Sequence, residues 1–187
     1  MRLKARLVAY GIALSLPLIV GVYQVWPRSE SSAWQPVASV APPGLMMQIA
    51  GDNLAPGFKD QVGQMKMMRP WQPGQSRALY LIDSRTADLS TQGNPLCGSL
   101  GCAFFGYVPT NIEERNESFQ SVLSLYLKPN LPPDVPLIEA TDTLYNDMPE
   151  LVIHQLEGDQ LVYMRLVLSN EQYEVVETQY LPAQQDE

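Results

Sequence analysis

The chain holds one histidine and two cysteines in 187 residues, and it carries no acidic side chain before Glu30. A lone imidazole, His154, leaves a zinc site short of its usual four nitrogen and sulfur ligands. The two cysteines, Cys97 and Cys102, lie far beyond the apolar N-terminus, which excludes a lipoprotein anchor. Their four intervening residues also differ from the two of a thioredoxin-type motif. Ser99, then Asp142 or Asp147, then His154 follow the chain order of an α/β-hydrolase triad. The nucleophile elbow nevertheless lacks its glycine, because Cys97 stands two residues before Ser99. Basic residues are scarce after Pro27, where 9 face 20 acidic ones, a formal charge of −11. That balance excludes nucleic acid as a natural partner and leaves a cationic protein or a cation as what the field attracts. Helical periodicity is sparse, and no internal repeat of useful length occurs.

What is present begins with Arg2, Lys4 and Arg6 ahead of an apolar run from Leu7 to Val25. At ~1.5 Å per residue, 7–26 makes a rod of roughly 30 Å, enough to span the hydrocarbon core of a bilayer. Cations before the run, with Tyr23 and Trp26 at its end, predict an N-terminus inside and the remainder outside the cytoplasm. The run exceeds the ~7 to 15 residues of a usual signal core, which favours an uncleaved anchor. The competing reading is a secretory signal cleaved after Ser31-Ser32-Ala33, which would release the domain to the periplasm.

Residues 27–44 mix Pro, Ser and Ala without periodicity and read as a spacer. Residues 45–181 read as one extracytoplasmic β-rich domain and 182–187 as a polar tail. The expected fold class is mainly β, an antiparallel sheet or meander with α+β admissible, behind one N-terminal transmembrane helix. Candidate strands are 45–50, 77–83, 102–108, 119–127, 150–157, 160–168 and 172–180. Phe119, Leu123, Leu125 and Leu127 are expected on one pleat face. Gly158-Asp159 and the turn beginning at Ser169-Asn170 join the last three strands into a meander. The one helical candidate is 53–68, where Phe58, Val62, Met65 and Met68 recur at helical spacing, although Gly57 and Gly63 weaken it.

Cys97-Gly98-Ser99-Leu100-Gly101-Cys102 is the sharpest motif. Two cysteines alone in an exported domain are expected to form one disulfide, and Gly98 and Gly101 supply the backbone freedom of the tight turn that joins them. Such a ring stabilises by roughly 2 kcal/mol in the chain-entropy model. No cation lies near it to favour a thiolate, so the bond reads as a staple, with a redox-active pair as the alternative. Met46-Met47 and Met65 to Met68 could hold Cu(I) through thioethers, but methionine is an ordinary core filler and the core reading is preferred. Residues 141–147 form an acidic turn that lacks the ligands and central glycine of a calcium loop. His154 shares a pleat face with Val152 and Leu156 and reads as a packed or rim histidine. Phe104, Phe105 and Tyr107 are candidate interface aromatics if exposed.

The anchor, the Leu-Tyr-Leu-Ile-Asp block at 79–83, CGSLGC followed by FFGYV, and YLKPNLPPDVPL together resemble a family of cyanobacterial membrane-anchored extracytoplasmic proteins over about 44–180. The resemblance implies a periplasmic or thylakoid-lumenal compartment and brings no catalytic residue, cofactor or metal. The reading is therefore an accessory or binding protein, tethered through 7–26, that engages a protein or envelope partner without catalysis. A thiol-disulfide protein using Cys97 and Cys102 is the first alternative, and an envelope-polymer binder is the second.

Overall fold

A computed structural model describes residues 31–85, 93–110 and 118–182. The expected anchor lies outside the described residues, as does the expected polar tail beyond Pro182, whereas the Ser31-Ser32-Ala33 cleavage site lies within them. Among the described residues no helix is long and apolar enough to cross a membrane.

The first sheet contains β1 (Ser31–Pro36), β2 (Lys66–Arg69), β3 (Tyr80–Asp83), β4 (Cys97–Gly98), β5 (Gly101–Pro109) and β6 (Phe119–Leu127), all antiparallel. β5 is bordered by β6 along one edge and by β3 and then β4 along the other. The second sheet is a four-stranded meander of β7 (Ile138–Tyr145), β8 (Met148–Glu157), β9 (Gln160–Ser169) and β10 (Gln172–Pro182). Two short helices, α1 (Val37–Val40) and α2 (Pro43–Asn53), and a 3₁₀ helix (Pro56–Gln64) complete it.

These pieces form three layers, with the first sheet in the middle. Alternation along its strands sends side chains to two separate cores. Met67, Tyr80, Ile82, Phe105 and Tyr107 pack against Val37, Leu45 and Ile49 of the helices. Met68, Leu79, Leu81, Phe104 and Leu127 pack against Ile138, Leu151, Ile153 and Leu166 of the second sheet. Coverage on both faces explains why all four residues of β3 and eight of the nine in β5 are buried, a pattern usual for a central strand.

Several elements depart from the sequence reading. The spacer is part of the fold from Ser31 onward: β1 pairs with β2, and Val37 is fully buried. The strand expected at 45–50 is the middle of α2. Pro43 occupies the first helical turn, and the buried Leu45 and Ile49 sit at i, i+4. The helix expected over 53–68 is a 3₁₀ helix that ends at Gln64. Met65 and Met67 then face the helices while Met68 faces the second sheet, so the thioethers read as a helical stripe alternate across a strand. β7 was not anticipated as a strand, because its middle carries Thr141-Asp142-Thr143, where the register slips.

β6 also breaks its expected single face. A bulge opposite Gly106 and Tyr107 inserts Val122, so Phe119 faces the helix-side core while Val122, Leu123 and Leu127 face the second sheet. Gly106 is needed there, since a Cβ would lie 2.8 Å from that of Leu123. The meander appears as expected. Asn146-Asp147 and Asn170-Glu171 have both residues at positive φ, the geometry of type I′ turns, and Gly158 at +61° opens the β8–β9 turn.

Candidate binding cleft

Six strands face four, so the second sheet leaves part of the middle layer uncovered. Trp34 of β1 lies over that margin, edge-on to Phe104 with ring centroids 6.4 Å apart. A recess of about 600 Å³ opens beside it, lined by Trp34, Met68, Trp71 and Gln72 on one side and by Pro136, Ile138 and Glu139 on the other. A second recess of about 350 Å³ adjoins it, where Phe104, Arg85, Leu131, Pro132 and Pro133 meet Trp34, Pro136 and Ile138 again. Trp34, Pro136 and Ile138 thus form the wall common to both.

The walls are held from behind. In the segment after β2, Gln75 is buried, its Oε1 accepts from the Gln72 backbone N–H at 3.0 Å, and its Nε2 donates to Arg77 O. Ser76 N–H then donates to Asp147 O at 3.0 Å, tying this segment to the β7–β8 turn. On the opposite side the proline-rich connection 128–137 is fastened by one residue of β8. His154 contacts Pro136 O through Nδ1 at 2.9 Å and donates its backbone N–H to Leu137 O at 3.0 Å. His154 is half-buried, with its ring edge-on to Tyr163 at 5.6 Å, so it is a rim histidine that positions the cleft wall.

At the far end of the smaller recess, Arg85 lies over the Phe104 ring at 5.4 Å and chelates the buried Asp83 carboxylate. The pair neutralises itself. Glu139 borders the larger recess at the edge of β7, exposed, with its side chain on the outer face beside Val152 and Arg165 rather than on the face of Ile138, and it takes part in none of the ion pairs among the described residues. The other ionic cluster lies on the outer face of the second sheet, where Arg165 bridges Glu150 and Glu177 at 2.8 Å each. Hydrogen bonds to both carboxylates raise the Arg165 pKa, and those from Gln179 and Arg165 lower that of Glu177.

Cys97 and Cys102 are joined by a disulfide with Cα atoms 4.0 Å apart, directly opposite each other in the β4–β5 hairpin. Of the two glycines between them only Gly101 adopts positive φ, at +107°. Gly98 does not, and a Cβ there would meet open space. Phe104, Phe105 and Tyr107 are buried, with at most 4% exposure, so they are core rather than interface. Tyr107 joins the layers: its hydroxyl accepts from Asn53 Nδ2 at 2.8 Å and donates to Asp52 Oδ2 at 3.3 Å.

The triad residues do not converge. Ser99 is on the β4–β5 hairpin of the first sheet, while His154 and Asp147 belong to the second. Asp147 precedes His154 by seven residues along one extended strand, about 23 Å. Among the described residues no group of three or more His, Cys, Asp or Glu side chains is arranged to hold a metal.

The sequence reading did not single out Trp34, Trp71 or Glu139. A signal was present: the tripeptide Trp-Gln-Pro occurs twice, at 34–36 and at 71–73, and both indoles line the larger recess. The class defined by fold and site is a three-layered β-sandwich domain with one hairpin disulfide and an aromatic cleft at its open end. No family model, no curated protein and no solved structure matches this chain.

Proposed function

We propose that this chain is a membrane-anchored, extracytoplasmic binding protein that holds a segment of a protein or envelope partner in the cleft walled by Trp34 and Trp71. The tether and the compartment, periplasm or thylakoid lumen, rest on the cationic start and the apolar run of 7–26. The observation that carries the binding reading is the pair of indoles, brought from two separate Trp-Gln-Pro segments to one recess whose backbone walls are fixed by Gln75 and His154. Aromatic side chains on a preformed concave surface supply contact area at low ordering cost, the usual composition of a binding site.

The test is photo-crosslinking in native membranes. A photoreactive residue replacing Gln72 in the full chain is expected to give a discrete adduct, and Trp71→Ala is expected to remove it. The same probe at Glu174, on the outer edge of the second sheet, is the control. Equal labelling from both positions, or none from position 72, would overturn the proposal.

A further inference from the structure

We infer that the occupant of the cleft is an extended, proline-containing peptide segment bearing lysine or arginine, bound as a polyproline II helix. This rests on the cleft being the binding site. The lining is made of flat and rigid rings: Trp34 and Trp71 beside Pro70 and Pro136 in the larger recess, and Pro132 and Pro133 in the smaller. Proline rings of a polyproline II chain pack on indole faces, and that chain is already extended before binding, so little ordering opposes capture. It repeats every three residues, about 9 Å. Two adjoining recesses that share the wall of Trp34, Pro136 and Ile138 offer an extended chain a continuous ring-lined surface.

Charge selects among extended polymers. Arg85 is already chelated by Asp83, and Glu139, exposed at the rim of the larger recess, is in no ion pair among the described residues. The chain beyond Pro27 carries a formal charge of −11. Anionic glycans and lipid headgroups are repelled by that field, whereas a basic peptide is drawn to it. A neutral glycan could also stack on indoles, and it would draw nothing from Glu139.

The experiment is a tryptophan-fluorescence titration of the full chain in detergent micelles with the peptide (Pro-Pro-Lys)4. Comparison ligands are (Gly-Gly-Lys)4, (Pro-Pro-Glu)4 and a neutral chitooligosaccharide. The lysine-proline peptide is expected to bind at least about tenfold more tightly than either altered peptide. Trp71→Ala should weaken it by about tenfold or more, and Glu139→Gln by about two- to fivefold with loss of part of the salt dependence. Trp34 packs on Phe104, so its replacement would also disturb the core, and half-buried Trp71 and exposed Glu139 are the informative positions. Binding that ignores both substitutions would reduce the effect to diffuse attraction and overturn the inference. A strong crosslink from position 72 without binding of the lysine-proline peptide, or with preference for the sugar, would overturn the ligand class and leave the cleft as the site. Failure of crosslink and peptide together would remove both.

Discussion

At Gly101 the hairpin meets the end of β6 with no room for a side chain. A Cβ there would fall against Leu127 O and within 2.7 Å of Lys128 N, and the residue already sits at φ +107°. Gly101→Ala is therefore expected to destabilise the protein by roughly 3 kcal/mol or more, through backbone strain and overpacking together. Gly98→Ala, three residues away and facing open space, is expected to change stability by no more than about 0.5 kcal/mol. Urea denaturation of the two variants checks this. Similar midpoints would mean that Leu127 and Lys128 yield, and that the hairpin does not hold β6 in place. The two glycines look equivalent in the sequence, and only their packing separates them. His154 shows the reverse. Its placement on a strand face with Val152 could be read from alternation, but its grip on Pro136 could not, because the two residues are joined only once the connection folds back over β8.

Elements with strong alternation and turn chemistry were legible, and those that depend on a neighbour were not. β8, β9 and β10 announce themselves through apolar runs broken at Gly158-Asp159 and Asn170-Glu171. β1 does not: Trp34-Gln35-Pro36 looks like spacer until β2 pairs with it. β2 itself is four residues long and follows helical-looking spacing, so nothing local marks it. The cleft was illegible for the same reason, since its walls come from the margin of one sheet and the connection into the other. The pairing of Cys97 with Cys102 across a tight turn was legible, the short β4 and the unequal roles of Gly98 and Gly101 were not, and the disulfide is expected to act as a staple. Replacing both Cys97 and Cys102 by Ala should lower stability by about 2 kcal/mol, a fall of roughly 4 to 8 °C in Tm for a domain of this size. Scanning calorimetry of the double variant reads this directly. A double variant as stable as the parent would instead favour the thiol-disulfide reading, for which a reduction potential between about −120 and −230 mV is the signature.

Across the whole molecule two buried phenols must stay neutral, one joining two layers and one joining strands within the second sheet. Tyr107 reaches from the first sheet to the end of α2, and the buried Tyr173 of β10 donates its hydroxyl to Pro149 O of β8 at 2.8 Å. Burial raises both pKa values well above the ordinary 10.0; Asp52 adds to this for Tyr107, while the Asn53 hydrogen bond there, and Arg77 at Tyr173, act in the opposite direction. A raised pKa means that the folded state keeps its proton longer than the unfolded chain does. The associated stability is fully present below about pH 10 and is lost as pH climbs beyond it. Tm is thus expected to hold level from pH 8 to 9.5 and to fall above pH 10, with part of the phenolate absorbance at 295 nm emerging only on unfolding. Replacing both tyrosines by Phe should cost about 1 kcal/mol per lost hydrogen bond at neutral pH and flatten the alkaline decline. An undiminished decline in that variant would assign the loss to mutual repulsion in a domain already carrying a formal −11 beyond Pro27. The two causes separate further with salt, because added salt screens repulsion between surface carboxylates and leaves the desolvation of a buried phenolate nearly unchanged.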